Sequence, residues 1–253
     1  MTVIRNEPDA EYRAVKALSQ SVAKVLLDSP EQAKHDMENP SKPTPAMNLG
    51  ILVHALALGQ EHPFVEKTWD ARTKAGKESD AAVEAAGKTP MSAEEWDKAH
   101  AMAAKVSAEF PLNYGSAEVS LYGDINGTAI KGRVDYLTDS AIVDLKTTAT
   151  PLWKFDGEIY ARRYHLQAAW YLTLAELNGL DADRFVLVAV GKTAPYLTRA
   201  WTLRESAIAV GRDLMREALK IYDRCVMFSE WPATNDADAT IGLPSWATER
   251  VFQ

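Results

Sequence analysis

The chain has 253 residues, of which 47% are hydrophobic and 25% charged, and its formal net charge is −7. That balance supports one large globular domain, and the negative charge argues against indiscriminate coating of nucleic acid, where a basic excess is usual. The single cysteine, Cys225, excludes an internal disulfide framework and any four-cysteine zinc or iron–sulfur site.

The chain opens on MTVIRNEPDAEYRAV, which has none of the apolar stretch of a secretion signal, so the cytoplasm is the expected compartment. Residues 10–28 repeat apolar positions at helical spacing and stop at Ser29-Pro30, which predicts one helix. A proline-rich connector at 39–45 leads into a second helix over 46–58, whose apolar run ILVHALAL is too short to cross a bilayer. Residues 67–90 are polar and rich in Lys, Ala and Gly, and read as a long loop. Residues 91–110 predict a helix that Ser92 caps, with Glu95 completing a capping box.

The period then changes. Residues 116–123, 128–137 and 140–148 alternate or carry short β-branched runs, and read as three consecutive antiparallel strands with Asn126-Gly127 as a hairpin turn. A helix over 158–177 is expected to end at Asn178-Gly179. Strands at 184–191 and 196–203 follow, then a long helix over 204–228 and a tail read as an extended strap. The order predicts a single α+β domain over 1–253. It has a helical front section (1–110, with His54 and a basic loop at 67–90), a sheet and helix at 111–203, and a C-terminal helix and tail at 204–253.

The hairpin GRVDYLTDSAIVDLKTT (132–148) carries the chemistry. In a strand, residues two apart share a face, so Asp144 and Lys146 project together, as do Lys131, Arg133 and Asp135. Pairing through the TDS turn brings Asp135 beside Asp144. Two adjacent carboxylates repel unless a cation lies between them, and hard oxygen ligands with room for water suit Mg²⁺ or Mn²⁺. A lysine beside such an ion can hold or deprotonate a water, or balance charge on a phosphate. Three further features stand out. His54 is the only ionisable residue of its apolar helix, in G-x-x-x-H; Glu118 opens the first strand; and Gln167 and Tyr171, four apart, lie on one helix face.

In order, the series G-x-x-x-H, E, R-V-D, D-L-K-T-T, Q-x-x-x-Y resembles the PD-(D/E)xK nuclease superfamily, and more narrowly its RecE (exonuclease VIII) and RecB-type branch. The resemblance runs over about 46–177, extending loosely to RTKAGKE (72–78) and LPSWA (243–247). It implies a mixed sheet flanked by helices. It also implies that Asp135, Asp144 and the Leu145 backbone carbonyl hold one or two metal ions, with His54 and Glu118 completing the shell. Lys146 would then position or activate water, and Gln167 and Tyr171 would orient Lys146 or touch the DNA backbone. The departure is the missing proline before Asp135.

On the residues alone, Arg133, Arg162 and Arg163 could hold backbone phosphates, and Arg72, Lys74 and Lys77 could form a basic loop over the substrate. Trp153 is expected to be exposed and able to stack on an unpaired end, Trp170 to be core, and Phe155 lies near the motifs. The resemblance further implies a 5′→3′ exonuclease on double-stranded DNA ends, acting as a homo-oligomer beside a RecT-like single-strand annealing protein in phage or prophage recombination. Alternatives on the same residues are an endonuclease or DNA-repair nuclease, and a non-catalytic DNA-binding scaffold.

Overall fold

A computed structural model describes residues 1–233. The chain begins with β1 (Thr2–Ile4), α1 (Asp9–Ala14), β2 (Leu18–Ser19), α2 (Gln20–Leu26), α3 (Pro30–Glu38) and α4 (Pro45–Leu58). A small unit follows: β3 (Phe64–Lys67), α5 (Lys74–Ala85), β4 (Thr89–Ser92), then α6 (Ala93–Glu109). The meander is β5 (Ser116–Ile125), β6 (Thr128–Leu137) and β7 (Ala141–Thr148). Then come α7 (Phe155–Ala161), α8 (Tyr164–Leu177), β8 (Arg184–Gly191), β9 (Thr198–Thr202) and α9 (Glu205–Phe228).

The main sheet has the order β1-β5-β6-β7-β8-β9, with the short β2 lying parallel on β6. β5, β6 and β7 are antiparallel neighbours, as their turn residues require. β7 and β8 pair in parallel along all of β7, so the chain must cross over between them, and α7 and α8 form that crossover. Alternation along the strands feeds two cores. Ile142, Phe185 and Leu187 pack under α2, α8 and α9, while Leu145, Val188 and Val190 pack under α4 and α6. The expected mixed sheet flanked by helices is therefore what forms.

Several boundaries differ from the sequence reading, each for a tertiary reason. The helix expected over 10–28 is two short helices broken by β2. Lys131, buried on β6, donates to the Tyr12 and Val15 carbonyls at 2.8 and 2.7 Å, which ends α1. Ser19 then caps α2 by accepting from the Val22 N–H. The loop expected over 67–90 instead carries β3, α5 and β4. Thr73 caps α5, and Asp80 on that helix accepts from both Lys67 and the Trp69 indole. The helix expected over 158–177 starts at Phe155 and breaks at Arg162-Arg163, where Arg163 has φ +51°. The second late strand shortens to Thr198–Thr202. The end of the tail, with LPSWA, lies outside the described residues.

Helices α8 and α9 cross in close contact. A Cβ at Gly211 would stand 2.0 Å from the His165 carbonyl oxygen, whereas one at Gly157 on α7 would meet nothing within 4 Å. Gly211→Ala is therefore expected to cost about 3 kcal/mol by overpacking. Gly157→Ala should be neutral or stabilise by about 0.5 kcal/mol through the unfolded chain. Urea unfolding of the two variants checks this; equal effects would mean the helices separate freely.

Candidate active site

The site sits where β6 and β7 part. These strands are paired only at Tyr136↔Val143 and Leu137↔Ile142, and one step further along the same register Asp135 faces Asp144. The ladder does not continue there. Instead the Asp135 carboxylate accepts from the Leu145 N–H, Oδ2 to N 2.7 Å, in place of a backbone carbonyl. In an extended strand a residue's N–H and C=O leave by the same edge, so the Leu145 carbonyl faces this fork too. On the other side of β6, the β5 register brings Glu118 opposite Asp135, between the pairs Ala117↔Tyr136 and Val119↔Val134. Glu118 has φ +49°, a left-handed conformation that costs a non-glycine residue on the order of 1 kcal/mol. Three acids thus form one row across three strands.

Asp144 is only 1% exposed. Its Oδ1 accepts from Gln167 Nε2 at 2.6 Å, and Lys146 Nζ lies 2.5 Å from Oδ2. The Lys146 ammonium is thus the close partner of the buried Oδ2. Burial pushes the Asp144 carboxyl up, the Lys146 ammonium pulls it down, and Asp135 pushes it up again. For Lys146, burial alone would lower the amine, but Asp144 and Asp135 outweigh it and hold the ammonium above its ordinary value. Tyr171 is buried, and its hydroxyl is held protonated well above the usual range, first by burial and then by Asp144 and Asp135.

α4 supplies the roof on the other face. Thr44 caps it by accepting from the Met47 N–H, with Pro45 in its first turn. A Cβ at Gly50 would stand 3.3 Å from Thr147 Oγ1, so the helix lies close on β7 at this position. One turn on, His54 Nδ1 reaches Asp135 Oδ2 at 3.5 Å. The G-x-x-x-H spacing therefore has a mechanical basis: close approach, then reach.

The expected phosphate contacts are placed differently. Arg133 points into the fold, with Nε on Ser120, Nη1 on Asp9, Nη2 on the Glu7 carbonyl, and its plane over Tyr12. Arg163 grips Asp28 with both terminal nitrogens and the Lys24 carbonyl with one of them. These two act as clamps within the chain, because carboxylates and carbonyls of neighbouring elements already hold their forks. Arg162 pairs with Glu158 on the surface, and Arg72 with Asp70. Lys74 stands 94% exposed in the first turn of α5, and Lys77 follows on the same helix. Trp153 is 72% exposed, whereas Trp170 and Phe155 are core. Lys24 and Tyr164 also border the site and belong to none of the motifs. Tyr164 lies under both Lys24 and Lys146, with Nζ-to-centroid distances of 5.3 and 5.1 Å. Nothing in the local pattern around either residue marks it.

The donor set suits a hard divalent cation: the Asp135 and Asp144 carboxylates and an outward carbonyl at Leu145. Among the described residues no three His, Cys, Asp or Glu side chains converge into a closed cage.

A mixed sheet between helical layers, with acids and D-x-K at the fork of its meander, is the PD-(D/E)xK nuclease fold. The chain belongs to the family described as a PDDEXK-like domain of unknown function (DUF3799), whose model matches residues 19–240. Among solved structures, a provisionally assigned exonuclease from Eubacterium rectale is 14% identical and has a TM-score of 0.63. That match covers 98% of this chain and 97% of the other, and establishes likeness of fold. An alkaline exonuclease, LHK-Exo, from Laribacter hongkongensis matches more loosely, at 15% identity and TM-score 0.34 over 70% of this chain and 95% of that one. No protein of curated function matches in sequence. No helix among the described residues is long and apolar enough to cross a membrane.

Glu118 makes the acidic row testable without DNA. Burial, then Asp135, pushes its carboxyl up to about 7 from an ordinary 4.5. A raised acid leaves stability intact below its unfolded value and loses it as pH climbs through the folded one. Glu118→Gln should therefore match the metal-free wild type near pH 4 and exceed it by on the order of 1–3 kcal/mol near pH 8. Denaturant melts across that range decide it; a difference independent of pH would take Glu118 out of the row.

Proposed function

We propose that the protein is a divalent-metal-dependent deoxyribonuclease, and that it acts as a RecE-type 5′→3′ exonuclease on linear double-stranded DNA. The observation that carries the reading is the buried Asp144 at the β6–β7 fork, with Asp135 opposite and Lys146 against its Oδ2. Family membership supports hydrolysis of nucleic acid, and the provisional assignment of the Eubacterium rectale protein is of the same kind. Action in phage or prophage recombination, a homo-oligomeric state and a RecT-like annealing partner belong to the same proposal.

Asp135, Asp144 and the Leu145 carbonyl would hold Mg²⁺ or Mn²⁺, with His54 and Glu118 in support. Such an ion supplies charge neutralisation at phosphorus and an activated water. The chain's own groups do the rest. Lys146, kept protonated by two carboxylates, presents N–H donors toward the attacking oxygen or a phosphate oxygen. Gln167 occupies Asp144 Oδ1, which leaves Oδ2 to the Lys146 ammonium. His54 braces Asp135 from α4. The Tyr164 ring covers the Lys146 ammonium and keeps water from it on that side. Trp153 is available to stack on an unpaired base, and Arg162, Arg72, Lys74 and Lys77 are the cations still able to meet phosphates.

A time course on linear duplex DNA labelled at each 5′ end, beside a closed circle of the same sequence, tests the proposal. Mg²⁺-dependent loss from the 5′ ends, an intact circle and full arrest by EDTA are expected. Cutting of the circle would convert the reading to an endonuclease, and no cleavage under conditions of DNA binding would favour a scaffold. Asp144→Asn and Lys146→Met should each lower cleavage by about 10²-fold or more. Lys146→Met should leave DNA affinity within about threefold, since a group used in the transition state affects turnover first. Normal cleavage by Asp144→Asn would sink the metal assignment.

A further inference from the structure

Two residues outside every motif, Lys24 and Tyr164, close a ring with three inside them. Gln167 Nε2 donates to Asp144 Oδ1 at 2.6 Å, and Lys24 Nζ donates to Gln167 Oε1 at 3.4 Å. Lys24 and Lys146 both sit over Tyr164, and Lys146 returns to Asp144 Oδ2 at 2.5 Å. Gln167 is 4% exposed, so its amide has no water to trade with.

A primary amide has a donor end and an acceptor end of nearly equal size, and only its neighbours decide which way it faces. Here the neighbours are opposite in kind: a carboxylate at one end and an amine at the other. With the amide turned over, Oε1 would face the Asp144 carboxylate and the NH₂ group would face Lys24, two unfavourable contacts at a buried position. Without the Lys24 amine, Oε1 would lose that donor, leaving the Tyr171 hydroxyl as the other polar group beside the amide, and an under-satisfied buried acceptor is costly. The hydrogen bond is long, yet the selection acts through both ends at once.

The carrier of Lys24 is itself held. Arg163 donates to the Lys24 carbonyl at 2.7 Å while gripping Asp28, which ties α2 to the break between α7 and α8. Burial, then the like charge of Lys146, pushes the Lys24 amine down to about 7; Asp144 pulls it up, and Arg163 and Arg162 push it down further. Either charge state keeps N–H donors for Oε1. A lysine that pays this penalty close to the site is not an ordinary solvated surface charge.

We infer that Lys24 is a positioning residue for the reaction proposed above: its Nζ fixes the amide of Gln167 so that Nε2 is delivered to Asp144 Oδ1 and Oδ2 stays turned toward Lys146 and the substrate. The inference rests on the nuclease reading for its consequence, though not for the contact itself.

Lys24→Met, Gln167→Met, the double variant and Lys24→Arg form the test. Lys24→Met should lower kcat about tenfold with KM within about twofold, and Lys24→Arg should recover most of that loss. In the Gln167→Met background, Lys24→Met should change kcat by no more than about twofold, because the group it acts through is gone. An equal loss in both backgrounds, or a loss confined to KM, would make Lys24 a DNA contact and overturn the inference. Melting temperatures of the metal-free wild type, two single variants and double variant read the same coupling without activity. Non-additive shifts are expected, and additive shifts would refute the contact. A wild type that cuts no DNA would fail the nuclease reading and leave the melting cycle to decide on Lys24.

Discussion

Accommodating one almost fully buried carboxyl group is the constraint around which the site is built. Asp144 is 1% exposed, and an ionised carboxylate without partners at that depth would protonate or unfold its surroundings. Lys146 comes from the same strand, two residues on, so the strand period itself delivers the countercharge. Gln167 comes from α8, which lies under the sheet because the crossover between parallel β7 and β8 must pass there. The fold's topology and the charge balance of Asp144 are thus one requirement seen twice.

The fork between β6 and β7 follows from competition for β7. Its whole length pairs in parallel with β8, whereas only two residue pairs hold it to β6. Where β6 turns away, β7 would be left with an unpaired N–H, and the Asp135 side chain takes it at Leu145. Asp135 therefore serves as a substitute ladder partner as well as a candidate ligand. That dual use fixes its carboxylate within the fork, and His54 holds the same Oδ2 from the opposite side. The arrangement explains how two acids can be brought face to face by a hairpin that does not remain paired at their level.

What was legible in the sequence was whatever local periodicity determines. Asp144 and Lys146 share a face because strands alternate, Asp135 meets them because the TDS turn sets the register, and Gln167 and Tyr171 share a face because helices repeat near four. His54 stood out because its helix has no other ionisable group. The misses share a different cause. The break at Arg162-Arg163 lies in a stretch with good helix formers throughout, and it is Asp28 and the Lys24 carbonyl, far away in sequence, that draw Arg163 out. The end of α1 is set by Lys131 from β6. Helix α5 has the composition of a loop and is stabilised by a Thr73 cap and by Asp80 tied to Lys67 and Trp69. Lys24 looks the same in sequence as any lysine on the wet side of an amphipathic helix.

The fate of the arginines bears on how an acidic protein could meet DNA. The chain carries −7, and two of the arginines expected at phosphates, Arg133 and Arg163, are bound to carboxylates and carbonyls of neighbouring elements. Such fork-shaped donors hold their acceptors at fixed angles, so giving them up to a phosphate would loosen α1 from β6 or α2 from α8. The positive charge nearest the acids is instead Lys146, with Lys24 beside it on Tyr164, both half-sheltered and both set by the groups around Asp144. Attraction for a phosphate at this fork then depends on local charge rather than on the whole surface. On the proposed reading, Asp135 and Asp144 would repel a phosphate until a divalent cation lay between them, so the two residues that would hold the ion would also disfavour substrate without it.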